Sequence, residues 1–336
     1  MSKFQFNYSL LTYNTFGVNV QAKAFVEVNS ADELQKVLVR NNLPIIILGA
    51  GSNVLLTKDL DALVIKNNIL GKTIIEETKE DAIVEVGAGE NWHELVLWSL
   101  GNRLSGLENL SLIPGLVGAA PIQNIGAYGV ELKDVFIKLE AIGLATGKLT
   151  TFSKEECQFG YRNSIFKSAL KGKYCITKVY LQLAKNPKIN VSYGAIKSTL
   201  KELGVVRPTP QDVSNAVIKI RSSKLPDPKI LSNSGSFFKN PEVDHSFFET
   251  LQKQFPEIVF YELPNDRVKI PAGWLIEQAG WRGKQIGKVG CHEKQALVLI
   301  NYGGATGDEL LKHAQRVALS VKAKFGIELI PEVNVY

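Results

Sequence analysis

Cysteine is scarce in this chain. Cys157, Cys175 and Cys291 are the three among 336 residues, widely separated and without a C-x-x-C pair. That argues against a disulfide framework and against a zinc ribbon, and it fits a reducing compartment. The four histidines, His93, His245, His292 and His313, show neither H-E-x-x-H spacing nor an accompanying acidic cluster, so no metal centre is expected. No apolar run has the length of a membrane span, and the opening MSKFQFNYSL lacks the basic start, apolar run and small-residue cleavage site of a signal peptide. The expectation is a soluble, cytoplasmic protein without membrane insertion. A contiguous basic stripe is also missing: the net charge is +6, but Lys and Arg are dispersed, and clusters such as KSALKGKY are broken by apolar positions. No nucleic-acid partner is expected, and a spread positive field suits small anions.

What is present is enough apolar material for a substantial core. Hydrophobic residues make up 45% of the sequence, which excludes disorder as the default, and the length suggests two or three domains. Ser30 and Glu33 have capping-box spacing ahead of Leu34, Val37 and Leu38, which predicts a helix. The buried strand PIIIL follows, then the turn Gly49-Ala50-Gly51-Ser52-Asn53 and a second β-rich run, VLL, so the first seventy residues read as a small α/β unit. From about Asp81 short β-type runs, AIVEVGAG, KLEAIGL and YCITKVYLQLA, alternate with turns, and NWHELVLWSL reads as a helix. From about Leu225 a third region opens with LPDPKILSNSGSFFKNP, loop-like at first, then the helical PAGWLIEQAG and the strand-like QALVLINY. Thr306 and Glu309 cap a helix whose apolar positions are Leu310, Ala314, Val317 and Val321, with Gly326 placed to end it. His93 and His313 fall on these helices as ordinary face residues, and His292 reads as positioning a loop or strand end.

Five stretches could carry chemistry. Gly49-Ala50-Gly51 follows a strand, a context in which bare backbone N–H groups can approach a pyrophosphate, or in which a bland turn simply reverses the chain. A dinucleotide fingerprint fails here, because Val54 stands at the third glycine position and a strand rather than a helix follows. The run GLENLSLIPGLVGAAPIQNIGAYGVE, residues 106–131, is small, glycine-rich and aperiodic. It is poor at regular structure and suited either to laying backbone along a large ligand or to a buried crossover. Ser236 lacks the G-x-S-x-G elbow of a hydrolase, leaving a polar loop serine or a proton donor to a basic carbanion. Arg162 in FGYRNSIFK could grip a carboxylate or form a surface ion pair, and Glu332 sits in the apolar terminal run IELIPEVNVY, which reads as a strand.

Taken in order, NTFGV, LGAGSNVLL, VGAGENWHELV, GLENLSLIPGLVGAAPIQNIGAYGVE, YRNSIFK, SKLPDPK, NSGSFFKNP, PAGWLIEQAG, HEKQALVLIN and PEV resemble the signature blocks of the UDP-N-acetylenolpyruvoylglucosamine reductase (MurB) family, in its type I form. Ten blocks in register are far more specific than any one. The resemblance implies an α+β fold: a two-domain FAD-binding unit of vanillyl-alcohol-oxidase type plus a third α/β substrate-binding domain. It divides the chain into residues 1–70, rejoined by a terminal strand 327–336, then 71–218, then 219–326. It implies bound FAD, with NADPH as co-substrate, reducing the enolpyruvyl group of a sugar nucleotide to UDP-N-acetylmuramate for peptidoglycan, in a monomer. FAD would contact Gly49, Gly51, Ser52, Asn53, Pro114, Gly115, Gly118, Ala119 and Gly126. Arg162, Ser236 and Glu332 would be catalytic, with Ser236 the proton donor, and Tyr128, Tyr161, Tyr193, Lys224, Asn240 and Tyr261 would bind substrate. The family often carries an Arg just after PEV, where this chain has Asn334. Two rivals are another FAD-dependent oxidoreductase of the same fold and a nucleotide-binding regulator that has lost catalysis.

Overall fold

The computed structural model describes residues 3–336. Contacts divide the chain into two compact units, one holding the segment up to Tyr8 with residues 22–50 and 60–223, the other holding residues 9–21, 51–59 and 224–336. The expected stretches 1–70 and 71–218 thus fall largely in one unit, because their sheets share a core: Ile142 and Cys175 of the second pack with Val26, Leu63 and Ile65 of the first.

The first unit holds a four-stranded sheet in the order Gln5–Ser9, Gln21–Val28, Leu60–Asn67, Ile45–Leu48, the last three parallel. The predicted helix forms over Ala31–Val39, with the Ser30 side chain accepting from the Glu33 N–H. It buries Leu34 and Val37 against Ala24, Val28 and Leu63, as its apolar spacing requires. A five-stranded antiparallel sheet follows, in the order Leu149–Ser153, Phe136–Gly143, Tyr174–Ala184, Asp81–Gly87, Lys72–Glu77. Ala82, Val84 and Val86 alternate inward from Asp81–Gly87, onto a core shared with Trp92, Leu95 and Val96 of helix Trp92–Gly101. Two helices absent from the sequence reading, Gly194–Glu202 and Pro210–Lys224, close on one another through Ile196, Leu200, Val213, Val217 and Ile220.

In the second unit, Ser232–Ser236, Val298–Asn301, Val289–Cys291 and Gln285–Ile286 form an antiparallel sheet, and Glu242–Asp244, Arg267–Lys269 and Tyr261–Leu263 a smaller one. Ser232–Ser236 corrects the loop reading: small polar residues with little β propensity are held in place by pairing to a buried apolar strand. Helix Gly307–Phe325 has the predicted Thr306/Glu309 capping box and ends at left-handed Gly326. The terminal run is also corrected. Only Asn334–Val335 is a strand, parallel to Val54–Leu55, and Pro331, lacking an N–H, forms no more than an isolated bridge with Phe238.

His313 is not the ordinary face residue expected. It is buried beside Cys291, with Nε2 3.7 Å from the thiol sulfur and Trp281 edge-on, while Nδ1 has no partner. Burial first, then Arg316 and Lys284, pull its pKa down to about 4. Because the folded value lies below the unfolded one, near 6.5, this group adds nothing unfavourable above about pH 6.5 and destabilises the fold progressively as pH falls towards 4. The full effect is about 3 kcal/mol. Unfolding midpoints measured from pH 7 to pH 4 are expected to fall more steeply in the parent than in His313→Gln; parallel curves would refute the assignment.

Candidate active site

Within the second unit the NTFGV block is a brace. The Asn14 side chain bonds the carbonyls of Leu10 and Val18 and accepts from the Val18 N–H. Thr15 N–H then donates to the Gly51 carbonyl at 3.1 Å, and the Phe16 carbonyl accepts from Asn301 at 2.8 Å. Gly51 is buried with φ +64°, and a β-carbon there would lie 2.0 Å from the Tyr13 carbonyl oxygen. Only glycine lets the chain pass. Ser234 Oγ donates to the Ser52 carbonyl at 2.7 Å, and the Asn53 carbonyl accepts from both the backbone and the side chain of Asn334, at 3.1 and 3.2 Å. Asn334 thus supports the Ser52–Asn53 turn.

Ser236 stands at a bulge. Between the pairs Asn233–Ile300 and Ser236–Val298 lie two residues on one strand and one on the other, with Gly235 left-handed at φ +67°. The extra residue re-aims the strand end, and Ser236 is exposed while Phe237 and Phe238 beside it are buried. The chain continues into a bridge in which Glu332 N–H donates to the Phe237 carbonyl at 2.8 Å and Lys239 N–H to the Ile330 carbonyl at 2.9 Å. Asn53 Nδ2 reaches the Glu332 carbonyl at 3.5 Å. Ser236, Glu332 and Asn53 are therefore brought together by backbone pairing across nearly 300 residues of sequence. Asn240 Oδ1 accepts from the Ala272 N–H at 2.9 Å and caps helix Ala272–Gln278, which leaves its amide NH2 as the end open to a ligand. Lys224, the last residue of its helix, and Tyr261, in the small sheet, are exposed. Replacing Gly235 by Ala meets no atom within 4 Å, so the expected stability loss is only about 1 kcal/mol of backbone strain, together with a fall in turnover as the bulge relaxes. Thermal melts and turnover measured together check this, and unchanged turnover would show that the bulge does not aim Ser236.

In the first unit Tyr161 and Arg162 form the tip of a tight hairpin closed by reciprocal bonds between Gly160 and Asn163, at 3.0 and 3.2 Å. Arg162 is left-handed at φ +49° and half-buried, and its Nη2 donates to the Gly126 carbonyl at 2.5 Å. A β-carbon at 126 would press on Glu131 and lie 3.2 Å from Arg162 Nη1, so the glycine admits the guanidinium. Asn124 bonds the Gly160 carbonyl at 3.1 Å and fixes the hairpin on the residue 106–131 run. That run is built of single 3-10 turns and two-residue strands, as its composition implied. Tyr128, left-handed at φ +52°, meets Tyr193 edge-on at 5.2 Å, and burial raises its pKa.

The Pro114–Ala119 segment is backbone packed closely on the chain beside it. Its N–H groups at Val117 and Gly118 bond the carbonyls of Glu90 and Ala88, and a β-carbon at 118 would lie 2.5 Å from that of Ala88. Pro114 and Ala119 remain exposed, Gly115 has φ +125°, and Leu116 lies beside Gly49, whose carbonyl accepts from Lys66 at 2.6 Å. Apart from Leu116, whose side chain packs on Gly49, these glycine-rich stretches present small residues, a surface able to receive a flavin. Arg221, missed by the sequence reading, bonds the Leu112 carbonyl at 3.2 Å and lies against Tyr128. Its RSSK context resembles many solvated helix ends and carries no distinguishing signal.

Residues 22–153 match the FAD binding domain, and residues 227–336 match the C-terminal domain of UDP-N-acetylenolpyruvoylglucosamine reductase. A reductase of that name from Flavobacterium johnsoniae is 54% identical over 98% of this chain and 99% of its own, and one from Pseudomonas aeruginosa 46% identical over 98% and 97%. The crystal structure of the Thermus caldophilus MurB superposes with TM-score 0.70 over 100% of this chain and 99% of that one, at 24% identity. A 6-hydroxy-D-nicotine oxidase from Arthrobacter nicotinovorans shares the fold at TM-score 0.55 and 12% identity, over 99% of this chain and 89% of its own. Among the described residues no helix is long and apolar enough to cross a membrane.

Proposed function

The chain belongs to the UDP-N-acetylenolpyruvoylglucosamine reductases, and on that premise we propose that Ser236, Glu332 and Arg162 carry the reduction of the enolpyruvyl group of UDP-N-acetylglucosamine enolpyruvate to UDP-N-acetylmuramate. FAD, when bound, would supply hydride chemistry to the enolpyruvyl group, with NADPH as the source of the electrons. Gly49, Gly51, Ser52, Asn53 and residues of Pro114–Gly126 hold that cofactor. As the new C–H bond forms, negative charge grows on the neighbouring carbon and its carboxylate. Arg162 binds the carboxylate and lowers the energy of that charge. The Ser236 hydroxyl gives its proton to the carbon and recovers one from water, a transfer driven by the greater basicity of the carbanion. Glu332 orders hydrogen bonds beside Ser236. Tyr128, Tyr161, Tyr193, Lys224, Asn240 and Tyr261 hold the sugar nucleotide, and the enzyme works as a cytoplasmic monomer.

The observation that carries this reading is the exposed Ser236 at its glycine bulge, one residue from the bridge to Glu332. The test uses the flavin-loaded protein without oxygen. Addition of NADPH is expected to bleach the flavin, and the enolpyruvyl substrate to restore it. Bleaching without reoxidation by that substrate would refute the substrate assignment.

A further inference from the structure

Arg221 lies on helix Pro210–Lys224, half-buried, where Val217 and Ile220 pack in one apolar cluster with Tyr128. Its Nε donates to the Leu112 carbonyl, its guanidinium also hydrogen-bonds the Tyr128 phenol, and Arg162 is near enough to act on it as a like charge. Among the described residues no carboxylate pairs with it. A guanidinium carries five donors and no acceptor, and the two fixed contacts leave donors at the far end unspent. A partly desolvated cation set beside a second cation is costly unless an anion joins them. Three residues here, Leu112, Tyr128 and Arg162, also hold left-handed backbone at φ +57°, +52° and +49°. Such local strain is typical of functional sites. Burial holds the Arg221 pKa below its ordinary value, with Tyr128 acting the other way, as for a cation that has given up part of its solvation.

We infer that Arg221 is a second anion-binding guanidinium, acting with Arg162 on the carboxylate of the enolpyruvyl and lactyl groups rather than on the diphosphate of the sugar nucleotide. The inference rests on the reading of Arg162 given above. Two guanidinia offer donors to both carboxylate oxygens and stay engaged as charge builds during reduction. Tyr128, held by Arg221, supplies an O–H beside them.

The test compares two nucleotides on the oxidised, flavin-loaded protein, by titration of the flavin spectrum and by calorimetry. UDP-N-acetylmuramate carries carboxylate and diphosphate, whereas UDP-N-acetylglucosamine carries the diphosphate alone. Arg221→Met is expected to weaken the first about 10- to 100-fold and leave the second within about threefold. Equal weakening of both, or of neither, overturns the inference. Arg162→Met in parallel separates the two readings: if it discriminates between the nucleotides and Arg221→Met does not, only the role of Arg221 falls. If Arg162→Met does not discriminate either, the carboxylate site itself falls. Should Arg221→Met lose flavin, Arg221→Lys is measured in its place, with an expected intermediate loss confined to UDP-N-acetylmuramate. Flavin loss in that variant too would assign Arg221 to the cofactor and overturn the proposal.

Discussion

Ser236→Ala is expected to leave flavin reduction by NADPH within about twofold of the parent while slowing reoxidation by the enolpyruvyl substrate on the order of 10²- to 10⁴-fold, the range for loss of one positioned acid. The asymmetry follows from the chemistry: hydride transfer from NADPH needs no proton at the serine, whereas the carbon next to the acceptor's carboxylate does. The structural cost is small because Ser236 is exposed and no described hydrogen bond of the fold uses its hydroxyl. Stopped-flow traces of the two half-reactions separate the outcomes. Equal loss in both would mean a distorted site, and no loss in either would remove Ser236 from the mechanism. Ser236→Cys keeps a donor of similar size and is expected to recover part of the second half-reaction.

Gly51→Ala is expected to give a severe loss of folding stability. A left-handed φ of +64° costs a non-glycine residue about 1 kcal/mol, and the new β-carbon would also stand 2.0 Å from the Tyr13 carbonyl oxygen, a distance no packing tolerates. The obstacle is backbone rather than a flexible side chain, so relief requires moving the Asn14–Thr15 brace and the turn it supports. The total is expected to exceed about 4 kcal/mol, among the most severe single-residue effects. Loss of the yellow flavin colour should accompany it. Gly280→Ala is the control: φ is +82°, but the space beside it is open, and only the backbone strain of about 1 kcal/mol should appear. Thermal melts and flavin absorbance of the two variants decide the matter, and similar behaviour would show that the close approach at Gly51 is not structural.

Local order was legible where a short-range rule acts alone. The Ser30 and Thr306 caps, the Gly326 stop and the alternation of Ala82, Val84 and Val86 each follow from neighbours a few residues away, and each stands where its pattern places it. Ser232–Ser236 was not legible, because SNSGS has no β pattern of its own and becomes a strand only by pairing with Val298–Asn301. His313 misled for the same reason: helical spacing says which face a residue occupies, but not that Trp281 and Cys291 will cover that face.

The sequence by itself determined the family, since ten ordered blocks survive without any knowledge of contacts, and with it the flavin chemistry. Only the tertiary structure decided how the Ser236 hydroxyl is presented. The Gly235 bulge, the Glu332 bridge and the Asn53–Asn334 bonds join residues far apart in the chain, and such pairings leave no periodic trace in a single sequence. It also decided that Arg221 lies half-buried beside Tyr128 and Arg162. A cation becomes informative about function when its desolvation is known, and desolvation is a property of the fold.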